Sequence, residues 1–137
     1  MISLLYAYTD GASRGNPGPG AAAYLLVKDG KVIEKRGFYL GYCTNNEAEY
    51  TAVLRALEAA RRLGESEVVV VSDSRLVISQ LNGLWAIRNP RMVKLNEQVK
   101  SLVSSFSSVT FENVRRDDPF VAAADSICNE VLDMEQA

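Results

Sequence analysis

Four carboxylates stand at positions where proteins commonly place metal ligands or catalytic acids. Asp10 and Asp73 each follow an apolar run, so each is expected at the end of a buried strand. Glu49 lies in the first turn of a long amphipathic helix, and Asp125 lies in the last helix. Oxygen ligands of this kind suit Mg²⁺ or Mn²⁺ better than zinc. The pattern therefore predicts a divalent-cation site assembled from four separate segments.

Helical periodicity singles out Glu49 from its neighbour Glu47. Apolar residues lie four, seven, eight and eleven positions after Glu49, so this acid shares the face that packs on the sheet. Glu47 is two residues earlier, about 200° around the helix, and is expected to be a solvent-exposed acid. Because a carboxylate on a buried face is costly without a partner, we predict that Glu49 is a metal ligand.

Each of the other acids also has a purely structural interpretation. Asp10 precedes a glycine, which is a common turn signal, and Asp73 could serve only as the N-cap of the following helix. Asp125 could be a solvated residue at the edge of an apolar stripe, with Asp117 or Asp118 acting in its place. The metal-site interpretation is favoured because the four acids occupy comparable places on different segments.

The composition restricts the chemistry that these acids could perform. The chain has no histidine, which excludes Ser–His and Cys–His nucleophile pairs and imidazole ligands. Hydrolysis would therefore use carboxylates and a metal that activates water. The formal charge of −2 argues against a nucleic-acid partner. That argument weakens if four acids bind cations, because the remaining residues then carry a net positive charge.

Length and segment composition set the expected organisation. A chain of 137 residues is typical of one domain, so residues 1–137 are predicted to form a single catalytic domain. Neither an apolar run of about 18 residues nor a basic leader is present, so we expect a cytoplasmic protein without a membrane span. Cys43 and Cys128 are predicted to be free thiols, although a bridge between them remains open at this point.

The elements that must position the acids follow from hydrophobic periods and turn residues. Predicted strands cover residues 2–8, 21–27, 31–43, 68–71 and 109–114. The first predicted helix follows an N-cap at Thr44, Asn45 or Asn46 and ends at about residue 63, and the other predicted helices cover residues 75–81, 91–105 and 119–134. Asp29-Gly30 marks a hairpin, so the first three strands form an antiparallel meander. Helical crossovers add the last two strands in parallel. We therefore predict an α/β fold with one mixed five-stranded sheet and helices on both faces.

The ordered motifs resemble those of the type 1 ribonuclease H family over essentially the whole chain. Thr9-Asp10-Gly11 with Gly15-Asn16-Pro17-Gly18 is similar to the first block of that family, and residues 44–49 are similar to the second. Ser72-Asp73-Ser74 resembles the third block, and Asp125 resembles the last catalytic acid. The resemblance implies a ribonuclease H-like fold and endonucleolytic hydrolysis of the RNA strand of RNA–DNA hybrids with two Mg²⁺ or Mn²⁺ ions.

The resemblance also implies roles for the four acids. Asp10 would bridge two ions about 4 Å apart. Glu49 and Asp73 would complete the ion nearer the leaving 3′-oxygen, and Asp125 would help to hold the ion that activates water. We expect a monomer whose partner is an RNA–DNA hybrid.

Five residues of the first two blocks are candidate substrate contacts. Gly11 (through its backbone), Asn16, Asn45 and Asn46 are expected to read 2′-hydroxyl groups across a minor groove. Thr44 would hold a phosphate of the DNA strand. The asparagines could instead serve only as turn and cap residues.

Three departures from the family pattern bear on the mechanism. Arg115 stands where the family often has a loop histidine for proton transfer and product release, and Val121 stands where it often has an asparagine. The basic, tryptophan-rich protrusion of many members is reduced to residues 84–94, with Trp85 as its only tryptophan. Trp85 either stacks on the DNA strand or packs in the core. Two rival functions stay open: a nuclease that cuts duplex DNA, and a hybrid-binding module without catalysis.

Overall fold

The computed structural model describes residues 3–137 and follows the predicted order of strands and helices. The strands are β1 (Leu5–Ser13), β2 (Gly18–Lys28), β3 (Lys31–Cys43), β4 (Glu67–Ser72) and β5 (Ser108–Asn113). The helices are α1 (Asn45–Arg62), α2 (Arg75–Leu81), α3 (Pro90–Val103) and α4 (Pro119–Glu135). Ile2, where the first strand was predicted to begin, lies outside the described residues.

The strands form one mixed sheet in the order β3-β2-β1-β4-β5. β2 pairs antiparallel with β1 and with β3, whereas β4 pairs parallel with β1 and with β5. The tight turn between β2 and β3 has positive φ at both Asp29 and Gly30, which matches the twist of an antiparallel pair. The predicted fold class is therefore confirmed.

Helices cover both faces of the sheet. α1 packs on β1 and β2 and against α3, and α4 packs on the opposite face of β1 and β2. The β4 run Val68–Val71 is buried throughout, as expected for a strand that is covered on both faces. The end of β1 that carries Asp10 and the end of β4 that precedes Asp73 therefore lie between α1 on one face of the sheet and α4 on the other. Within residues 3–137, none of the helices has the length and apolarity that crossing a bilayer requires.

β1 does not end at Tyr8 but continues to Ser13, so Asp10 lies within a strand rather than in a turn. The parallel pairing with β4 stops at Tyr8 opposite Val71, whereas the antiparallel pairing with β2 continues to Ser13 opposite Gly20. β1 therefore extends beyond its parallel neighbour. Asp10 projects just where the sheet loses one of its strands, which leaves space for other groups beside it.

The N-cap of α1 is one of the predicted candidates, whereas the N-cap of α2 differs from the prediction. Thr44 caps α1, and its side chain accepts a hydrogen bond from the Glu47 amide at 3.1 Å. The Glu47 carboxylate in turn accepts from the Thr44 amide at 2.9 Å. Glu47 is therefore a half-buried capping residue and not the predicted solvent-exposed acid. Ser74, rather than Asp73, caps α2, which leaves the Asp73 carboxylate available.

Both thiols are free, as predicted. Cys128 is buried beneath β1, where its sulfur lies 3.5 Å from the carbonyl oxygen of Asp10. Cys43 is half-buried at the end of β3, and a Cβ on Gly20 would lie 2.3 Å from its sulfur. Glycine at position 20 therefore allows β2 and β3 to pair closely near this end of the sheet.

Candidate metal centre

Three acids from three elements converge at one end of the sheet. Asp10 on β1, Glu49 on α1 and Asp73 after β4 each place a carboxylate oxygen within 4.8 Å of the other two. Asp10 and Glu49 are only 5% and 6% exposed. Among residues 3–137 no lysine or arginine forms an ion pair with any of the three. Because crowded, buried carboxylates repel one another, this donor set fits a hard divalent cation.

Gly11 allows α1 to approach β1 closely enough to bring Glu49 to the cluster. A Cβ on Gly11 would lie 2.2 to 2.4 Å from backbone atoms of Ala48 and Glu49, so any side chain here would push the helix away. The Gly11 amide donates a hydrogen bond to Glu49 Oε1 at 2.7 Å. This N–H, which we expected to be available to a substrate, is thus used to orient Glu49.

Asp125 faces the same site from α4 but lies outside the three-acid cluster. It contributes to the wall of a cavity of about 300 Å³ and is itself exposed. Its Oδ2 accepts a long hydrogen bond, at 3.5 Å, from the side-chain Nδ2 of Asn129, one helical turn later. The residues that line this cavity are Asp10, Gly11, Ala12, Asn45, Glu49, Asp73, Arg116, Ala122 and Asp125.

Asp117 and Asp118, the two alternatives to Asp125, make other interactions. Asp118 caps α4, and its Oδ1 accepts hydrogen bonds from the amides of Phe120 and Val121 at 3.0 and 3.1 Å. Asp117 is exposed and lies 3.5 Å from Arg115. Neither residue lines the cavity. Of the three candidates for a fourth acid, only Asp125 is placed to meet the other carboxylates.

Burial and mutual repulsion raise the pKa of the clustered acids. Burial is the main cause of the raised pKa of Asp10, followed by the charge of Glu49 and by a hydrogen bond with Asp125. The pKa of Glu49 is raised by burial and by Asp73, while the Gly11 amide opposes the rise. Burial also raises the pKa of Asp73. In the absence of a cation these acids therefore bind protons more readily than ordinary carboxylic acids do, and a bound metal would compete with those protons.

Arg116 is a site residue that the sequence-based reasoning missed. It lines the cavity, and its charge works against the rise in the pKa of Asp73. Arg115, which occupies the expected loop position, is instead 89% exposed and faces Asp117. Two adjacent arginines in a loop carry no periodic signal that indicates which one borders the cavity. Their assignment therefore required the path of the backbone.

The structure places the predicted substrate contacts in two groups. Asn45 lines the cavity, and its amide donates to the Asn16 side-chain oxygen at 3.0 Å. Thr44 is the N-cap of α1, and Asn46 lies in the first turn of that helix. Trp85 lies in the loop between α2 and α3 and is 42% exposed, so the alternative of a core role is wrong. The Arg75 guanidinium lies 5.5 Å from the centre of its ring.

Comparisons with known proteins give consistent matches. A family model described as reverse transcriptase-like matches residues 8–131. Ribonuclease HI of Halobacterium salinarum is 39% identical over 130 residues, which cover 94% of this chain and 64% of that protein. Bifunctional protein Rv2228c of Mycobacterium tuberculosis is 37% identical over 126 residues, which cover 90% of this chain and 34% of that protein. The chain thus spans less than two thirds of the length of these curated relatives.

Solved structures match over nearly the whole chain. The crystal structure of RNase H1 from Halobacterium salinarum has a TM-score of 0.91 at 39% identity and covers 95% of this chain and 98% of that chain. LC11-RNase H1, solved in complex with an RNA/DNA hybrid, has a TM-score of 0.91 at 29% identity, with 97% and 99% covered. Together with the fold and the four-acid motif, these matches show that the chain belongs to the type 1 ribonuclease H family.

Proposed function

We propose that this protein is a metal-dependent endoribonuclease that hydrolyses the RNA strand of RNA–DNA hybrids. The observation that carries the proposal is the convergence of Asp10, Glu49 and Asp73 within 4.8 Å, without an ion pair to any lysine or arginine among residues 3–137. The relation to LC11-RNase H1, which was solved with a hybrid, supports the choice of substrate. Since one chain supplies all four acids, the proposed active form is a monomer.

The carboxylates would hold two Mg²⁺ ions, with Mn²⁺ as a substitute. Asp10 would ligate both ions, Glu49 and Asp73 would complete one of them, and Asp125 would complete the other. When bound, such cations activate the attacking water and stabilise the departing 3′-oxygen. Asp125 is the exposed member of the set and lines the same cavity as the other three acids.

Arg116 would supply the positive charge that the family commonly places in this loop as histidine. Its guanidinium borders the cavity, and a guanidinium can form paired hydrogen bonds to phosphate oxygens. Because an arginine keeps its proton near neutral pH, Arg116 would hold the substrate or product phosphate rather than transfer a proton. Arg115, exposed and directed at Asp117, would take no part in the reaction.

Recognition of the hybrid would use both groups of predicted contacts. Asn45 and the Asn16 loop lie at the rim of the cavity, where they would meet 2′-hydroxyl groups of the RNA strand. At the start of α1, Thr44 would contact a phosphate of the DNA strand, and Asn46 would contact the edge of the minor groove. Trp85 exposes much of its ring and would stack on a sugar or base of the DNA strand.

The test is a cleavage assay on a short RNA–DNA hybrid labelled on either strand, with Mg²⁺, Mn²⁺ or chelator. We expect cleavage of the RNA strand only, dependent on the cation and abolished in Asp10→Ala. Asp117→Asn is the matched control, since this exposed acid lies outside the cavity. Turnover by purified, folded Asp10→Ala would refute the assignment. Cleavage of duplex DNA would favour the rival nuclease, and hybrid binding without cleavage would favour a binding module.

A further inference from the structure

A single guanidinium connects the end of β1 to the last two turns of α4. Arg14 directly follows β1, and its Nη2 lies 2.6 Å from Asp133 Oδ1 and 3.4 Å from the Asn129 carbonyl oxygen. Its Nη1 donates a hydrogen bond to Gln136 Oε1. One side chain thus contacts three acceptors on α4 and its C-cap.

The backbone of the Arg14 loop is itself closely constrained. The Arg14 amide donates to the Pro19 carbonyl oxygen at 2.8 Å, which closes the loop. A Cβ on Gly18 would lie 2.2 Å from the Arg14 carbonyl oxygen, so the loop can close only with glycine there. On its other side the loop contacts α1, because Asn16 Oδ1 accepts from the Asn45 amide. The base from which Arg14 extends is therefore well defined.

The packing of α4 on the sheet restrains the position of this helix only weakly near Asp125. Near Asp125 the interface between α4 and β2 includes small side chains, namely Ala124 on the helix and Ala21 and Ala23 on the strand. Small residues interlock little, so they oppose rotation or sliding of a helix weakly. Asp125 is also exposed, and its hydrogen bond from the Asn129 side chain is long, at 3.5 Å.

We propose that Arg14 is a positioning residue that holds α4 so that Asp125 faces the three-acid cluster. The contacts run from Arg14 to the Asn129 carbonyl and from the Asn129 side chain to Asp125, over one helical turn. The loop that carries Arg14 begins four residues after Asp10. Arg14 therefore connects the strand that carries Asp10 to the helix that carries Asp125. This inference rests on the proposed function, since it concerns the fourth ligand of that site.

The expected consequence is a selective loss of affinity for one of two ions. Arg14→Gln should weaken the second Mn²⁺ binding event about 10-fold, which is typical of changes to residues that orient a metal ligand. The first event, at Asp10, Glu49 and Asp73, should stay within about two-fold. Thermal stability should fall little, because exposed ion pairs contribute little to folding.

The experiment is calorimetric titration of the whole chain with Mn²⁺ in the absence of nucleic acid, accompanied by thermal unfolding in chelator. Lys28→Gln is the matched control, because the Lys28 side chain is 32% exposed against 34% for Arg14, pairs with Glu65 at 3.0 Å and does not line the cavity. Arg14→Lys should give an intermediate affinity, since an ammonium group cannot reach all three acceptors together. If Arg14→Gln does not fold, Asp133→Asn provides the same test from the acceptor side.

A double-mutant comparison makes the test specific to Asp125. In an Asp125→Asn background, Arg14→Gln should cause no further loss of Mn²⁺ affinity, because the ligand that it positions is already removed. Unchanged Mn²⁺ binding in Arg14→Gln would overturn the inference and assign Arg14 a purely structural role. The absence of a second Mn²⁺ binding event in the unmodified chain would overturn it as well. Two binding events without hybrid cleavage would refute the proposed nuclease and leave the role of Arg14 standing.

Discussion

Replacing Asp10 by asparagine is expected to stabilise the metal-free protein at pH 8. Asp10 is 5% exposed and lies beside Glu49, and these surroundings raise its pKa from 3.8 to about 10. A carboxylate that the fold prefers to keep protonated destabilises the folded state at any pH where the unfolded chain ionises it. Asparagine has nearly the same shape and carries no charge, so it removes this penalty.

The magnitude follows from the shift in pKa. One pKa unit corresponds to about 1.4 kcal/mol, and at pH 8 only the part of the shift between the ordinary value of 3.8 and pH 8 counts, which would amount to about 6 kcal/mol. Water in the adjoining cavity screens the interaction, and we expect a measured gain of about 2 kcal/mol or more. For a chain of this size such a gain raises the unfolding temperature by roughly 6 to 10 °C.

The sign of the pH dependence is also determined. Because the pKa of Asp10 is raised on folding, the folded state binds more protons than the unfolded state between about pH 4 and pH 10. The unmodified protein therefore loses stability as the pH rises through this window, and Asp10→Asn lacks that loss. The advantage of the variant should shrink when the pH is lowered to 5. Glu34, whose pKa is lowered, acts in the opposite direction in both proteins and cancels in the comparison.

The assay is urea or thermal unfolding of both proteins in chelator at pH 5 and pH 8. Asp117→Asn serves as the control and should change stability by less than about 0.5 kcal/mol, because this acid is exposed. Added Mg²⁺ should raise the unfolding temperature of the unmodified protein but not that of Asp10→Asn. Equal or lower stability of Asp10→Asn at pH 8, or an advantage that grows toward pH 5, would refute the reasoning.

Four further outcomes are expected. Gly11→Ala should lower the free energy of unfolding by about 3 kcal/mol or more, because its Cβ would overlap the backbone of Ala48; unchanged urea unfolding would contradict this. Arg116→Gln should slow hybrid cleavage about 10-fold while Arg115→Gln stays within two-fold, and equal rates for the two variants in steady-state kinetics would argue against a role for Arg116. Trp85→Ala should raise the KM for hybrid about 10-fold with little change in unfolding temperature, whereas a large thermal loss would indicate packing. Binding should weaken only gradually with salt, because the chain offers few basic contacts; a steep slope in a titration series would show more phosphate contacts than expected.

The fold class was accessible from the sequence because its signals are local. The apolar run Val68–Val71 indicated a strand covered on both faces, and Asp29-Gly30 indicated a hairpin turn. Pro119 indicated the start of the last helix, where Asp118 caps it. Helical phase alone identified Glu49, and not Glu47, as the acid on the buried face of its helix, and Glu49 is buried in the structure.

Other features depended on which element lies beside which. β1 continues through Asp10 because β2 accompanies it to Ser13 after β4 has ended, and no property of the segment itself predicts where a partner strand stops. Asp73 resembled an N-cap until Ser74 was seen to fill that position.

The amino-acid sequence by itself determined the order of elements, the mixed sheet and the four acids, because hydrophobic period, turn chemistry and motif spacing act over a few residues. Only the tertiary structure decided that Arg116 rather than Arg115 lines the cavity, that Trp85 is exposed, and that Arg14 reaches α4. The physical reason is that side-chain direction in loops follows the path of the backbone, and contacts across more than a hundred residues exist only once the sheet has brought the elements together.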